Sequence, residues 1–508
     1  MTGPLPQTRP SRTAFACVLI IGATLRFWNL TAGFPYRIGA DEPVIAERAL
    51  HILKTGNWNP HFFDYPGLYI YVQVVVGCAR FLSGAMAGEW HAVEQLLPEH
   101  LFIWSRVLNA TLGTATILVV YRVGLRWGRW AAVLAATLLA VWPNHVRESH
   151  FALTDVPLTL LTTIAMAASL RAQETGRTAW FAGAGAFVGL AAAVKYNGLI
   201  ALVMPLAAAA SMRPLPAAWT RAALSCAAAG LAFLVTAPYT LLALPEFLQG
   251  FAYLTQQVGT RGFLSGAELY LMHFAIAAGW PNVAIAGLGT VWLGVRGIRE
   301  GTIARAALLV SFVMAYFYVI ATKDRGFGCY LLPAVRPLCT VLAVVAADTS
   351  TWLRRRQWSL WIRAAAIAAI LATVLVTPAR AAIGWARANG AETTQDIAYS
   401  LLRGFIPPQS GVAIERNALR LPASSTYRVL IVRSLSDMTP EQYREKGITY
   451  VVASSAAFAP VFADPQQHAQ AYEHYRRLLE GNSECLPPIT PTTSVEGAEI
   501  RICRLQTP

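Results

Sequence analysis

Two adjacent carboxylates, Asp41 and Glu42, are the strongest candidates for chemistry in this 508-residue chain. They lie in a polar stretch, residues 37–66, that follows the first long apolar run and contains several aromatic side chains and two histidines. A carboxylate beside a membrane surface can act as a general base and take the proton of an incoming hydroxyl. The structural alternative is a helix cap, because Pro43 suits the first position of a helix and Gly56 suits its end. Both interpretations stay open at this point.

Other polar residues lie at the ends of further apolar runs. They are Arg26, His150, Asp155, Lys195, Tyr196, Arg261, Arg325 and Tyr330. A cation in such a place can hold a phosphate as a point charge, or it can extend a buried stem to the membrane interface. Asp155 can equally cap the helix that follows it, and the residues near Tyr330 can form an anchoring belt. Each of these residues alone is weak evidence for a functional site. Together they are stronger evidence, because the predicted topology places all of them on the same side of the membrane.

The composition indicates an integral membrane protein. Hydrophobic residues make up 55% of the chain and charged residues only 13%, against roughly 25% charged residues in soluble domains. The net charge of +14 does not indicate nucleic-acid binding, because the arginines are distributed over short loops between apolar runs. That distribution is typical of loops that stay on the cytoplasmic side.

Eleven apolar runs are candidates for crossing a membrane, which takes about 17 to 25 residues. The arginine-rich loops place the N-terminus inside and the C-terminal region outside. Residues 67–86 are also apolar enough to cross, but a crossing there would turn the arginines of residues 122–129 outward. We therefore predict a juxtamembrane or re-entrant helix within one outer loop, residues 34–100, with a full crossing as the alternative. The eleven runs are residues 14–33, 101–121, 130–146, 152–170, 178–194, 198–212, 220–243, 281–297, 304–321, 330–347 and 360–378.

The composition changes after Pro378, which predicts two domains. Residues 1–378 form an all-α polytopic membrane domain of about 11 spans that carries the candidate residues, and residues 379–508 form a small α/β domain outside the cytoplasm. Cys485 and Cys503 are the only cysteines of the second domain, and an oxidising compartment favours their pairing. We predict a disulfide between them. Predicted helices cover residues 393–403, 440–446 and 465–480, and predicted strands cover residues 411–415, 428–433, 448–454 and 498–505.

Several segments together resemble a known family. Asp41-Glu42 and the stretch from Thr55 to Pro66 are similar to the first outer loop of glycosyltransferase family 39. This family comprises the protein O-mannosyltransferase and aminoarabinose-transferase-like enzymes of the type C glycosyltransferase superfamily. The segments Ser149 to Pro157, Val194 to Gly198 and Tyr330 to Pro333 follow in the family's order. The resemblance covers nearly the whole chain, including the C-terminal outer domain.

The resemblance implies an inverting transfer of a sugar from a polyprenyl-phosphate carrier to a lipid, glycan or protein acceptor outside the cytoplasm. Asp41 would be the general base, and Glu42 would contact the substrate or a cation. The remaining residues implied to bind substrate are Tyr65, His150, Asp155, Lys195, Tyr196, Arg261, Arg325 and Tyr330. No metal or other cofactor is expected, because relatives with monophosphate carriers do not clearly need one; a divalent cation is the alternative.

The implied partners are the lipid-linked sugar donor and membrane lipid, and the implied location is the bacterial inner membrane. Two departures from the family stand out. Residues 244–280, predicted to be a loop, are too few for the large domain that eukaryotic protein O-mannosyltransferases insert, which argues against a protein acceptor. Arg325 is followed by Gly-Phe-Gly-Cys, where a cation directly before Tyr330 would be expected.

A transporter or flippase of a lipid-linked glycan is the main alternative function, and a non-catalytic scaffold is the other. Transporters tend to contain paired repeats with broken helices near the middle of the membrane. In this chain the ionisable residues collect at one face instead. Asp41 separates the interpretations, because a transporter should tolerate asparagine there if the fold survives.

Overall fold

The computed structural model describes residues 12–32, 34, 41–416, 418–422, 424–481, 483–492 and 495–505. The first part of the polar stretch, Arg37 to Ala40, lies outside the described residues. The chain divides into two compact units: residues 1–30, 41–96 and 100–386 form one, and residues 31–40, 97–99 and 387–508 form the other. The predicted domain boundary after residue 378 stays a prediction, and one continuous helix, Leu360–Asn389, includes that position.

Among the described residues, the regular secondary structure of the membrane unit is helical, apart from an isolated β-bridge between Thr260 and Lys323. Short 3-10 turns at Tyr196–Leu202 and Gly328–Leu331 precede two of its helices. The helices are α1 (Arg12–Phe27), α2 (Glu42–Thr55), α3 (Leu68–Met86), α4 (Pro98–Gly124), α5 (Arg129–Ala140), α6 (Pro143–Glu148), α7 (Asp155–Thr175), α8 (Thr178–Val194), α9 (Val203–Ala210), α10 (Leu215–Thr236), α11 (Tyr239–Leu242), α12 (Leu244–Val258), α13 (Phe263–Ala278), α14 (Trp280–Arg299), α15 (Ile303–Ala321), α16 (Leu332–Arg354) and α17 (Leu360–Asn389).

Each of the eleven predicted apolar runs overlaps a helix, and the runs at residues 130–146, 198–212 and 220–243 are each divided between two helical segments. The predominantly helical structure confirms the predicted fold class. Within the described residues, six helices are long and apolar enough to cross a membrane, or seven if α13 and α14, bent by 115°, form one span. The count of eleven crossings therefore stays a prediction. The helix α3 is one of the six, so the choice between a juxtamembrane helix and a full crossing also stays open. Residues 244–280 were predicted to be a loop. This prediction is wrong, because the segment contains α12 and α13.

The helix α2 follows the sequence prediction closely. Pro43 lies in its first turn, and Gly56 ends it in the left-handed conformation with φ 71°, where its N–H bonds to the carbonyl of Ile52. Glycine adopts the left-handed conformation at this position without a steric penalty. The apolar face of the helix, which includes Ile45 and Ala49, is buried. The helix is therefore fixed against the unit on one side and ends where the polar stretch continues.

The helices α8 and α10 pack in close contact because small residues face each other. A Cβ atom on Gly185 or Gly189 would overlap the backbone carbonyl of Ser225 or Ala229, respectively. The hydroxyl of Ser225 also donates to the carbonyl of Phe181 at 3.1 Å. Small residues four positions apart allow such approach in membrane helices, where dispersion contacts and interhelical hydrogen bonds drive association. This contact supports α8, which ends directly before Lys195.

Arg26 satisfies the carbonyl end of another helix. It is fully buried, and its guanidinium donates to the carbonyls of Leu139 and Ala140, the last residues of α5, at 2.9 and 3.0 Å. The same group contacts Nδ1 of His145 at 2.8 Å. The last carbonyls of a helix have no partner within the helix, and leaving them unpaired in a membrane is costly. Arg26 thus neither reaches the interface nor stands free for a phosphate, the two roles considered from the sequence.

Two prolines inside helices are compensated by neighbouring side chains. Pro337 in α16 lacks an N–H for the carbonyl of Pro333, and Arg336 donates to that carbonyl at 2.7 Å. Pro378 in α17 likewise leaves the carbonyl of Val374 without its usual donor. The side-chain amide of Asn282 donates to that carbonyl at 3.2 Å. Both helices therefore continue past a proline without an unpaired carbonyl in the apolar interior.

The second unit contains a mixed five-stranded sheet in the order β2-β1-β3-β5-β4. The strands β2, β1 and β3 are parallel, and β5 pairs antiparallel with both β3 and β4. The four predicted strands are present, whereas β4 and α20 were not predicted. The elements are α18 (Thr394–Phe405), β1 (Gly411–Glu415), β2 (Arg428–Val432), α19 (Pro440–Glu445), β3 (Tyr450–Ser454), α20 (Ser455–Ala463), α21 (Ala469–Arg476), a π-helical turn (Arg477–Gly481), β4 (Ser483–Cys485) and β5 (Ile500–Leu505).

Cys485 and Cys503 form the predicted disulfide. They lie directly opposite each other on β4 and β5, and their Cα atoms are 3.9 Å apart. The bond closes a sequence separation of 18 residues and so restricts the unfolded chain, an effect of about 3 kcal/mol in the chain-entropy account. The short edge strand β4 is thereby fixed to the sheet.

The contact between α8 and α10 generates a paired prediction. Gly189→Ala should lower the thermal unfolding temperature, because the added methyl overlaps the carbonyl of Ala229 and overpacking costs about 1 to 3 kcal/mol. Gly183→Ala, on the same helix with no atom within 4 Å of the added Cβ, should be neutral or stabilising by up to about 1 kcal/mol. Unfolding of the purified protein in detergent measures both. Equal shifts in the two variants would contradict close packing at Gly189.

Candidate active site

Asp41 is held by a tyrosine and not by a helix end. It directly precedes α2, yet its side chain makes no capping hydrogen bond to the described part of that helix. The hydroxyl of Tyr65 instead donates to Oδ2 of Asp41 at 2.6 Å. The aspartate is half-buried, and Oδ1 has no hydrogen-bond partner among the described residues. The interpretation of the Asp41 side chain as a helix cap is therefore wrong.

Glu42 lies in a different environment one residue later. Nε and Nη2 of Arg106 donate to its two carboxylate oxygens at 3.0 and 2.8 Å. The backbone N–H of Ala152 donates to Oε1 at 2.6 Å. The side chains of Arg106 and Glu42 are only 2% and 0% exposed. The predicted contact between Glu42 and a cation is present, and the engagement of both oxygens favours an anchoring role over direct contact with a substrate.

One face of α4 fixes the segment before Asp155. The amide of Asn109, one turn after Arg106, donates to the carbonyls of Phe151 and Leu153 at 2.6 and 2.8 Å. Its oxygen accepts a hydrogen bond from Tyr69 at 2.9 Å. Sequence reasoning missed both α4 residues. A signal was present in Arg106, since an ionisable residue within a hydrocarbon-length run indicates a function or a partner.

Lys195 contacts several of the other candidate residues. Its ammonium donates to Oδ1 of Asp155 at 2.8 Å, and the two side chains are 14% and 8% exposed. The same ammonium lies 4.7 Å from the ring centroid of Tyr330 and 5.9 Å from that of Tyr65. Because Tyr65 also binds Asp41, five predicted residues meet in one place. We call Asp41, Tyr65, Asp155, Lys195 and Tyr330 the Asp41–Lys195 cluster.

Two further groups extend this cluster on the side of Asp155. Ligand atoms of Glu148, Asp155 and Cys329 lie within 4.8 Å of one another. Burial raises the pKa of Glu148 to about 6, against the opposing charge of Arg147. Two carboxylates and a thiol are ligands that zinc accepts, so these residues are the ones that could hold a metal ion. Arg147 and Lys195 already balance the two carboxylates, and the expectation of no metal stays a prediction.

Arg261 and Arg325 lie together at the ends of α12 and α15. Arg261 donates to Oδ1 of Asp324 at 3.1 Å, and Arg325 donates to the side-chain oxygen of Gln257. Burial and the neighbouring charge of Asp41 raise the pKa of Asp64, and the charge of Arg325 opposes this rise. Asp64 therefore lies within electrostatic range of both the base candidate and Arg325. The sequence analysis did not predict a role for Asp64, which lies within the stretch from Thr55 to Pro66.

Tyr196 and His150 do not join the cluster. The hydroxyl of Tyr196 donates to the backbone carbonyl of Phe63 at 2.9 Å. The two ring nitrogens of His150 lie 2.9 and 2.8 Å from the carbonyls of Val146 and Trp28, and the residue is 2% exposed. These contacts give both side chains a role in positioning the backbone. Their predicted contact with substrate has no support in this geometry.

Parts of this chain resemble known proteins in sequence. Residues 71–255 match the family model described as dolichyl-phosphate-mannose-protein mannosyltransferase. Protein O-mannosyltransferase 1 of Drosophila melanogaster is 33% identical over 116 residues, which is 22% of this chain and 13% of that protein. The protein of the same name from Drosophila pseudoobscura pseudoobscura is 33% identical over 114 residues, 21% of this chain and 13% of that protein. The chain thus matches only a small part of these curated relatives.

Two solved structures resemble nearly the whole chain. The archaeal oligosaccharyltransferase AglB from Archaeoglobus fulgidus, in complex with an inhibitory peptide and a dolichol-phosphate, has a TM-score of 0.58 at 14% identity. That match covers 96% of this chain and 74% of AglB. ArnT from Cupriavidus metallidurans, bound to undecaprenyl phosphate, has a TM-score of 0.55 at 15% identity and covers 97% of this chain and 98% of ArnT. At these identities the likeness shows a shared fold.

The family model matches the region from α3 to α12, which includes α4, Asp155 and Lys195. The structural matches extend over both units of the chain. The resemblance of this chain to glycosyltransferase family 39, within the type C glycosyltransferase superfamily, is therefore confirmed.

Proposed function

We propose that this protein is an inverting glycosyltransferase that moves a sugar from a polyprenyl-phosphate carrier to a lipid, glycan or protein acceptor on the extracytoplasmic face of a membrane. The observation that carries the proposal is the Asp41–Lys195 cluster, in which a carboxylate and a buried cation flank the same tyrosine. The family match, to enzymes named for a dolichyl-phosphate-mannose donor, supports this donor class. The titles of the AglB and ArnT structures name a dolichol-phosphate and undecaprenyl phosphate, respectively.

In the proposed reaction Asp41 is the general base. Tyr65 engages Oδ2, which orients the carboxylate and leaves Oδ1 to accept the proton of the acceptor hydroxyl. The acceptor oxygen forms a bond to the anomeric carbon while the bond from that carbon to the phosphate oxygen breaks. The electron pair leaves with the phosphate. Attack opposite the leaving group inverts the configuration at the anomeric carbon.

Cations would stabilise the negative charge that develops on the leaving phosphate. Lys195 is suited to this role, because Asp155 holds the ammonium in place at 2.8 Å and a lysine carries three donors. Arg325 and Arg261 lie farther along the same side of the unit and would guide the carrier phosphate. Tyr330 would pack against the sugar or the carrier beside Lys195. In this assignment Asp155 is a positioning residue.

The proposal includes the location and the domain roles. Residues 1–378 would form the catalytic membrane domain and residues 379–508 the outer domain, in a bacterial inner membrane. The disulfide between Cys485 and Cys503 supports an oxidising compartment for the second unit. The donor is a hexosyl or pentosyl phosphate lipid, and membrane lipid is the surrounding partner. No observation favours the transporter alternative, and the residues of the Asp41–Lys195 cluster meet around Tyr65.

Replacement of the base gives the first prediction for this function. Asp41→Asn should retain the fold and donor binding and lose turnover by roughly 10² to 10⁴, the usual range for loss of a general base. Release of free polyprenyl phosphate by the purified protein measures turnover. Asp464→Asn is the matched control, because this exposed aspartate lies in the other unit. Near-normal turnover by folded Asp41→Asn would remove Asp41 as the base.

Replacement of the buried ion pair should act on stability first. Glu42→Gln leaves the guanidinium of Arg106 buried without its anionic partner, and breaking such a pair costs about 3 to 5 kcal/mol. The thermal unfolding temperature should therefore fall markedly. The double variant Glu42→Gln, Arg106→Met should recover much of the loss, because no uncompensated charge remains. An unchanged unfolding temperature in Glu42→Gln would contradict the anchoring role of this pair.

A further inference from the structure

An exposed loop beside the Asp41–Lys195 cluster is ordered by its own side chains. The hydroxyl of Thr55 accepts from the N–H of Asn57 at 3.2 Å, and the side-chain oxygen of Asn57 accepts from the N–H of Asn59 at 3.1 Å. The side-chain oxygen of Asn59 then accepts from the N–H of His61, also at 3.1 Å. His61 has a positive φ of 46°, which is uncommon for this residue type. The loop is thus preformed, although much of it is exposed.

A carboxylate from α12 completes this loop from far along the chain. Oε2 of Glu246 lies 2.9 Å from Nδ1 of His61 and 3.3 Å from the amide nitrogen of Asn59. The amide nitrogen of Asn57 lies 3.3 Å from the other ring nitrogen, Nε2, of His61. The amide nitrogen of Asn59 also lies 3.2 Å from Nδ1 of His61. The four polar side chains are therefore aligned by contacts with one another.

Groups that could bind a ligand remain on this surface. The side chain of Trp58 is 52% exposed and lies beside the ring of Tyr71, with 5.9 Å between the ring centroids. Among the described residues, neither the indole N–H of Trp58 nor Oε1 of Glu246 has a hydrogen-bond partner. The amide of Asn57 also retains a second N–H. An apolar ring face thus lies next to exposed donors and an acceptor.

We propose that this surface, formed by Asn57, Trp58, His61 and Glu246 and called here the Trp58 surface, binds a neutral carbohydrate that is part of the acceptor. Sugar hydroxyls both donate and accept hydrogen bonds, as serine hydroxyls do. The less polar face of a sugar ring can pack on an exposed aromatic ring that also carries a polar N–H. This inference rests on the proposed function, because it assigns the acceptor of the same reaction.

The charge of the surface narrows the ligand class. The carboxylate of Glu246 is part of this surface, and its negative charge disfavours an anionic ligand such as a phosphate. A purely apolar ligand would leave the exposed oxygen of Glu246 and the indole N–H without partners, which is costly. A membrane anchor would likewise need only the aromatic ring and not the ordered amides and carboxylate around it. A neutral, hydroxyl-rich ligand satisfies all of these groups.

The position of the surface fits an acceptor. Tyr65 lies four positions after His61 in the sequence, so their Cα atoms are at most about 14 Å apart even in a fully extended chain. The hydroxyl of Tyr65 binds Asp41 directly. A glycan held at the Trp58 surface could therefore extend to the base while the carrier phosphate occupies the side of Lys195.

The test measures glycan binding by the full-length protein in lipid nanodiscs. The probes are four neutral trisaccharides (mannotriose, maltotriose, cellotriose and triacetylchitotriose), and saturation-transfer NMR titrations give their dissociation constants. We expect at least one of them to bind, and Trp58→Ala to weaken it about tenfold or more, as truncation of a central interface aromatic does. Trp58→Phe should retain more affinity, since the ring remains. Trp361→Ala, at a tryptophan that is 83% exposed on α17, is the matched control and should bind like the wild type.

Several outcomes would overturn the proposal: no binding of any trisaccharide, equal affinity in Trp58→Ala, or an equal loss in Trp361→Ala. Binding of a serine- and threonine-rich peptide that depends on Trp58, in the absence of any glycan binding, would assign the surface to a protein acceptor instead. Binding of polyprenyl phosphate to the same samples reports the donor site separately. Glycan binding without carrier binding would contradict the proposed donor class but not the assignment of the Trp58 surface. Carrier binding without glycan binding would contradict the assignment of the Trp58 surface but not the proposed donor class.

Discussion

The buried ion pair between Glu42 and Arg106 is the interaction on which the site depends. It fixes the residue after Asp41 to α4, and the same carboxylate accepts the N–H of Ala152 three residues before Asp155. Two charges removed from water stabilise a structure only when geometry and further hydrogen bonds offset their desolvation. Here both oxygens of Glu42 are engaged. Two segments that are distant in sequence, one with Asp41 and one with Asp155, therefore have a common anchor.

A second constraint is the absence of water in the membrane interior. Every backbone carbonyl that a helix end or a proline leaves unpaired there needs another donor. Arg26 supplies donors to the end of α5, Arg336 to the carbonyl freed by Pro337, and Asn282 to the one freed by Pro378. Charged and polar side chains in this unit thus divide into two kinds. Some complete the backbone, and others, such as Lys195 and Asp155, meet at the candidate site.

Sequence reasoning predicted the helices well because apolar runs of membrane length leave little freedom in secondary structure. It also predicted the disulfide. The candidate site residues that it named include Asp41, Tyr65, Asp155, Lys195 and Tyr330. It could not predict which polar residues stabilise the fold instead of lining the candidate site. His150 and Tyr196 bond to backbone carbonyls, and Arg106 and Asn109 were hidden within an apolar run. Those roles depend on contacts between segments far apart in sequence, which periodicity does not encode.

In the proposed reaction, a carboxylate base and a cation held by Asp155 act on the two ends of one transfer. Incubation of the purified protein with a panel of polyprenyl-phosphate sugars and candidate acceptors tests this reaction. The free carrier, the sugar transferred and the configuration of the new linkage are then determined. We expect that one donor is consumed, that free polyprenyl phosphate appears, and that the anomeric configuration is inverted. Transfer with retained configuration, or no consumption of any donor by folded protein, would contradict the proposed reaction.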